Sequence, residues 1–334
     1  MKRYIGVSVW CLVVMLCVGA LESGAKEAAK DNEARSSIHR KVATFLVRHW
    51  CASDFQHYSK HSDVIWTIRN REKKVWVRAY LNNKDSFIKA CLNFHASSIQ
   101  NFNLKGASLQ GIELSKANLS GVGLERANLR GVNLFAATVN KANLQGANLS
   151  RSNLEKTMLE EANLQGASLV MSSLKGANLE EANLSKANLE AAYLKEANLE
   201  EATLKGANLK RAYFFKSNLE EANLDNANLV SADLDEASLE EASLEEANLT
   251  EASLESANLK KANLEDANLE DASLEDANLV GANLKNANLE GANLNGADLR
   301  NANLQGVTFK NTKYSSQTLW PKGFKLPKGL VNDD

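Results

Sequence analysis

Paired carboxylates are the residues of this chain best placed to do chemistry. Glu160-Glu161, Glu180-Glu181, Glu200-Glu201, Glu220-Glu221 and Glu240-Glu241 recur at a constant spacing of twenty, and Lys260-Lys261 occupy the next step. Carboxylates in register can hold a cation, act as general acid and base, or dock a basic protein. A tight calcium site needs about six to eight oxygens in a cage, which two straight columns do not supply. Acid–base catalysis needs two carboxyls in different environments, and these columns are uniform in sequence. Two readings remain. One is a solvated face that maintains solubility, because unit charges about 4 Å apart in water repel by only around 1 kcal/mol. The other is a docking surface for a protein with a basic surface. Tyr193 and Tyr213, also twenty apart, and Phe215 beside them replace the usual polar residues. They either stack on one another or enlarge a docking patch.

Other reactive groupings are sparse. The histidines are His39, His49, His57, His61 and His95, all before or at the start of the regular region. His57 and His61 could meet on a helix, but no third ligand follows at metal spacing. No Gly-rich phosphate loop, nucleophile elbow or Ser/His/Asp grouping can be assigned. The expectation is a protein that is not an enzyme, with no cofactor, metal, small-molecule substrate or direct nucleic-acid binding.

What must position these columns is a five-residue beat. Over residues 94–309, forty-four units run without interruption. Every residue whose number ends in 4 or 9 is Leu, except Phe94, Ile99, Val139, Phe214 and Phe309. Two places earlier stands Ala in most units, followed by Asn, Ser or Asp. On an α-helix successive leucines would step by about 140° and scatter around the axis. On a flat strand an odd period would send alternate leucines to opposite faces. The chain must therefore bend after each unit, one unit per side of a square coil. Eleven such coils, stacked at about 4.8 Å, make a rod roughly 50 Å long. Ala suits a cramped inward position, and Asn can bond turn backbone and stack in ladders along the axis. In this arrangement the ten glutamates become neighbours over about 20 Å.

The Ala-(Asn/Ser/Asp)-Leu-x-x run, seen in Ala117-Asn118-Leu119, resembles the pentapeptide-repeat family over residues 92–309. The tail Thr312-Lys313-Tyr314 through Leu319-Trp320-Pro321-Lys322-Gly323-Phe324 is similar to endings common in that family. The resemblance implies a right-handed quadrilateral β-helix, an all-β solenoid. It implies little about function, since the family spans many roles. Some members resemble duplex DNA in width and charge and bind type II topoisomerases. Residues 220–276, with eighteen acids against Lys260 and Lys261, agree with that role. A tail carrying Pro321 and Pro327, with no clear dimerising helix, agrees less. Carbohydrate processing, as in other long β-helices, would need an irregular coil and cleft, and this repeat has no insertion to build one.

The ends suggest further units. Lys2-Arg3 precede an apolar run over residues 5–20, short of the about twenty residues a span requires. Residues 1–25 therefore read as a signal peptide, with an uncleaved single-pass anchor as the alternative. Either exports the chain to a periplasmic, lumenal or extracellular space. Cys11 and Cys17 fall inside that segment, leaving Cys51 and Cys91 to form a disulfide or remain buried thiols. Residues 36–91 read as a small α+β capping unit. Ser37 starts a helix bearing Ile38, Val42, Phe45, Leu46 and His49, followed by strands at 64–68 and 75–77. Residues 310–334 form a C-terminal cap whose aromatics, with Phe309, close the last coil. Residues 1–105 carry seventeen Lys and Arg against eight Asp and Glu. The sum is an exported, non-catalytic scaffold offering an acidic surface to a protein partner.

Overall fold

The computed structural model describes residues 104–334, together with the backbone of three strands upstream. The leader or anchor at 1–25, the Ser37 helix, Cys51, Cys91, His39, His49, His61, His95 and the units at 94–103 lie outside the described residues. The upstream strands are β1 (Asp54–Tyr58), β2 (Ile65–Arg69) and β3 (Trp76–Tyr80), an antiparallel sheet in that order. Phe55 lies opposite Ile68, which lies opposite Val77. The two strands expected at 64–68 and 75–77 are present with shifted bounds. β1 corrects the expectation that His57 and His61 share a helix, because His57 sits in an extended strand opposite Trp66.

From residue 104 onward the chain coils with a repeat of twenty. Asn128 bridges Ser108 on one side and Asn148 on the other, all in parallel, and the same register runs down the solenoid. One unit shows how the backbone is satisfied. The Ala147 N–H donates to the Leu144 carbonyl, closing a turn. Asn148 donates back to Ala127, while Leu149 donates forward to Ser168 and Arg151 to Val170. The remaining donor, the Ser150 N–H, bonds the Asn148 side-chain oxygen at 3.1 Å. All five N–H groups of the unit thus have partners, as buried or half-buried backbone requires. Asn precedes Leu because its side chain serves the one donor that the coil leaves over.

Each turn places its second corner residue in the left-handed region, the signature of a type II turn. This holds at every number ending in 1 or 6 from Gly106 to Asn311. Thirty of these residues are not glycine, and their φ values run from 52° to 61°. Such a conformation costs an L-residue about 1–2 kcal/mol. The hydrogen bonds and packing of the coil hold it.

Leu and Ala point inward and are buried from Leu109 to Ala302, with Leu104, Ala107 and Leu304 partly buried at the two ends. Ile112, Val122 and Val132 take the Ala position near its start. At Ser152, Thr157, Ser172 and Thr312, which replace Ala, the hydroxyl bonds a leucine carbonyl, as Thr157 does to Leu134 and Thr312 to Leu289, whereas the buried Ser217 hydroxyl has no partner. Phe214 takes a Leu position and is fully buried, as its place in the beat predicts.

The register changes at the end. Asn293 bridges Lys313, but Asp298 bridges Leu319, so one extra residue enters the last coil. There β4 (Thr312–Tyr314) pairs in parallel with β5 (Leu330–Asn332). Trp320 stacks on Phe324 at 5.2 Å between ring centroids and meets Phe309 edge-on at 6.1 Å. Trp320, Phe324 and Leu330 pack on the core, so this segment covers its lower end. Gly329, with φ of 113°, crosses so near Phe309 that an added Cβ would lie 2.5 Å from its carbonyl oxygen.

Candidate functional site

Coil stacking brings the ten glutamates together along one corner of the solenoid. Sequence reasoning pictured a flat face; the structure places all ten on the two turn positions that follow a Leu. The two columns also differ, where the sequence makes them look alike. Glu160, Glu180, Glu200, Glu220 and Glu240 form the inner column and are half-buried. Their carboxylates are tied to neighbouring coils. Glu160 accepts from Asn140 at 3.1 Å, Glu180 from Asn198 at 3.4 Å and Glu200 from Asn218 at 3.2 Å. Glu220 accepts from the Ser238 hydroxyl at 2.8 Å, and Glu240 from Asn258 at 3.3 Å.

Glu161, Glu181, Glu201, Glu221 and Glu241 form the outer column, all exposed and all with left-handed backbone. That conformation turns the side chain away from the neighbouring Asn ladder. Glu181, Glu201 and Glu221 have no side-chain hydrogen bond or ion pair among the described residues. The side chain of Glu241 is 46% exposed against 29% for Glu240, so the outer column is the one presented to solvent.

Lysines close the ridge at both ends. Lys260 and Lys261 meet Glu240 at 2.6 Å and Glu241 at 2.5 Å. At the other end Lys141 meets Glu161 at 2.8 Å, a partner that sequence reasoning missed although it occupies the same column. The Lys260 hydrogen bond, followed by that from Asn258, holds the Glu240 carboxyl below the usual glutamate range. The Glu161 hydrogen bond and charge likewise hold the Lys141 ammonium above its usual value. Among the described residues no group of His, Cys, Asp and Glu is arranged to hold a metal ion. The inner column accepts hydrogen bonds from Asn at Glu160, Glu180, Glu200 and Glu240 and from Ser238 at Glu220.

Tyr193 and Tyr213 lie one coil apart on the side leading toward this corner, with Phe215 at the corner between. The tyrosine rings stack at 4.9 Å, only 2° from parallel, and Phe215 lies 6.1 Å from Tyr213. Phe215 has basic neighbours, whereas Tyr213 bridges Asp233 on the next coil. Lys195 and Lys216 each place Nζ 5.0 Å from the centre of the Phe215 ring, within cation–π range. Desolvation, then the charge of Asp233 on the next coil, pushes the Tyr213 hydroxyl above its usual pKa. Desolvation also raises Asp233 itself. The rings therefore support one another and still leave Tyr193 39% exposed.

Comparison with known proteins agrees with this architecture. A family model described as pentapeptide repeats matches in eight copies, at residues 97–134, 140–176, 172–211, 192–229, 207–245, 237–276, 247–286 and 277–313. Among solved structures the chain is similar to HetL of Nostoc sp. strain PCC 7120, a pentapeptide repeat protein involved in heterocyst differentiation regulation. The two are 35% identical, with 63% of this chain and 90% of that chain covered and a TM-score of 0.48. A second Nostoc pentapeptide repeat protein, alr5209, is 39% identical over 30% of this chain and 84% of its own, with a TM-score of 0.30. QnrB1, a plasmid-mediated fluoroquinolone resistance protein, is 20% identical over 52% of this chain and 92% of its own, with a TM-score of 0.29. Among curated proteins no match is found.

Proposed function

This chain belongs to the pentapeptide-repeat family, and on that premise we propose that it is an exported, non-catalytic interaction module whose acidic corner docks a protein with a basic surface. The observation that carries this reading is the outer glutamate column. Glu181, Glu201 and Glu221 stand exposed and unpaired on a backbone fixed by coil-to-coil hydrogen bonds. A rigid array of this kind loses little entropy on binding and steers a basic partner by charge. Tyr193, Tyr213 and Phe215 lie one side away and add apolar area of the type found at protein interfaces. Export rests on the sequence of residues 1–25. Subcellular fractionation of tagged protein with sequencing of its N-terminus tests that part, and an intact terminus in the cytoplasmic fraction removes it.

The docking surface is tested by reversing Glu200, Glu201, Glu220 and Glu221 to Lys. Lys260 and Lys261 occupy the same two turn positions two coils below Glu220 and Glu221, so the fold accepts the change. The expected result is loss of partner recovery after crosslinking, together with a steep salt dependence for the parent protein. Undiminished recovery from the reversed protein ends the proposal.

A second reading, mimicry of DNA toward a type II topoisomerase, is favoured by one observation. From Asp235 to Asp276 acids occupy all four corners, so charge encircles the solenoid there. Inhibition of gyrase supercoiling supports this alternative, and no effect at high protein concentration dismisses it.

A further inference from the structure

The side of the solenoid that carries Tyr193 and Tyr213 is bounded by two corners, and both change sign at the same height. On the corner after the tyrosines, Lys156, Lys175, Lys195 and Lys216 lie above Asp235, Glu255 and Glu275. On the corner before them, Arg151, Lys210 and Arg211 lie above Glu251, Glu270 and Asp271. Glu113, Glu155, Glu190 and Glu196 are the acids in the upper part of this side, and from Asp233 to Asp276 it has no Lys or Arg. The sign changes between Lys216 and Asp233, within a coil of the stacked tyrosines.

Few of these charges form an ion pair within the chain: Lys195 meets Glu196 at 3.8 Å, and Asp235, Glu251, Glu255 and Glu275 accept hydrogen bonds from Ser or Asn side chains. Lys216 meets Glu236 at 3.2 Å across the boundary. Among the described residues Lys210 and Arg211 pair with no carboxylate, and Glu251, Glu255, Glu270, Asp271, Glu275 and Asp276 pair with no Lys or Arg.

We propose that this side is a homodimer interface, on which a second copy of the chain packs antiparallel about a two-fold axis passing at the sign change, between Tyr213 and Asp233. An isologous contact requires a self-complementary surface. For two solenoids laid side to side and antiparallel, the two-fold lies in the interface and perpendicular to the coil axes. That operation reverses height but leaves each corner opposite the same corner of the partner. Complementarity then demands that each corner carry cations at one end and acids at the other, and both do. Lys216 and Lys195 of each copy face Asp235 and Glu255 of the other, and Lys210 and Arg211 lie against Glu251, once on each side of the axis. The exposed tyrosines and Phe215 fall at the centre, where an interface core belongs. The acidic corner lies one side farther round and remains free for a different partner.

The test uses the full chain and two charge-swap variants. Both sets of replacements match residues that the repeat already accepts at those turn positions, such as Glu220-Glu221 and Lys261. By sedimentation equilibrium at low ionic strength the parent should have twice the chain mass, falling toward the chain mass as salt rises. Lys195→Glu/Lys210→Glu/Arg211→Glu alone, and Glu251→Lys/Glu255→Lys alone, should each be monomeric. Mixed together they should form a one-to-one heterodimer, because both reciprocal contacts are then again between opposite charges. A monomeric parent, a dimer indifferent to either variant, or a mixture that stays monomeric overturns the proposal. Circular dichroism of each variant, expected to match the parent, separates loss of association from loss of fold.

Discussion

Replacing Glu181, Glu201 and Glu221 together by glycine should stabilise the protein, although it removes three charged side chains and adds no contact. All three have left-handed backbone, with φ of 55°, 55° and 54°. Releasing a Cβ from that region returns about 1–2 kcal/mol per residue. Glycine gives back roughly 0.5–1 kcal/mol through the greater freedom of the unfolded chain. The net is about 0.5–1 kcal/mol per site, or about 2 kcal/mol for the three. For domains of 150–250 residues each kcal/mol moves the midpoint by about 2–4 °C, so a rise of a few degrees is expected here. The control is the triple alanine variant, which removes the same charges but keeps the Cβ; Ala136 and Ala191 already occupy this conformation. Thermal unfolding followed by circular dichroism compares the midpoints directly, since a repeat array need not unfold in one step. If the glycine variant melts no higher than the alanine variant, the turn positions are not strained and the account of the corners is wrong.

Other perturbations probe different parts of the coil. Leu224→Ala should lower stability by about 2–5 kcal/mol in denaturant titration through the cavity it leaves, and Ala222→Leu should do so by overpacking a position with 0% exposure. Gly329→Ala should detach β5 from β4, because its Cβ would lie 2.5 Å from the Phe309 carbonyl oxygen; hydrogen exchange should show lost protection in β5 and at Asp333, which donates to Tyr314, while Lys313, which donates to Ala292, and the central coils are unchanged. Glu240 and Glu265 are held below the ordinary value of 4.5, chiefly by hydrogen bonds from Lys260 and Lys285. Their contribution is present above that value and is lost as pH falls through the lower folded pKa. The pair Glu240→Gln/Glu265→Gln should therefore lose less of its melting temperature than the parent on acidification below 4.5, and equal losses would contradict these pairings.

The solenoid was legible because its core speaks in one column: Leu at every fifth position excludes helix and flat strand by geometry alone. The glutamate ridge followed once the twenty-residue coil was drawn. Its division into a tethered inner column and an exposed outer one did not, since two adjacent glutamates look equivalent until one is placed at positive φ. A trace of that conformation stood in the text, because Gly106, Gly111, Gly121, Gly131 and Gly146 all fall on the same turn position. The thirty other residues there diluted it. Lys141 was overlooked because attention rested on the repeated glutamates rather than on what ended them. The lysines around Phe215 needed the corner itself, which sets residues twenty apart over the same ring. β1 went unread because two histidines four apart suggest a helix more readily than a half-polar pentapeptide suggests a strand.

The twenty-residue register has a consequence for how such a gene can change. Loss of four in-frame units removes one full coil and leaves every hydrogen-bond partner below the cut equivalent to the one it had. Loss of a single unit also preserves the inward Ala and Leu and the Asn that serves each turn. It rotates everything downstream by a quarter turn, however, so each charge column below the deletion is moved onto its neighbour's corner. The interior cannot detect such an event, whereas the exterior is reassembled wholesale. Slippage in this coding sequence thus acts as a combination dial, offering new surface patterns on a body whose fold is not put at risk.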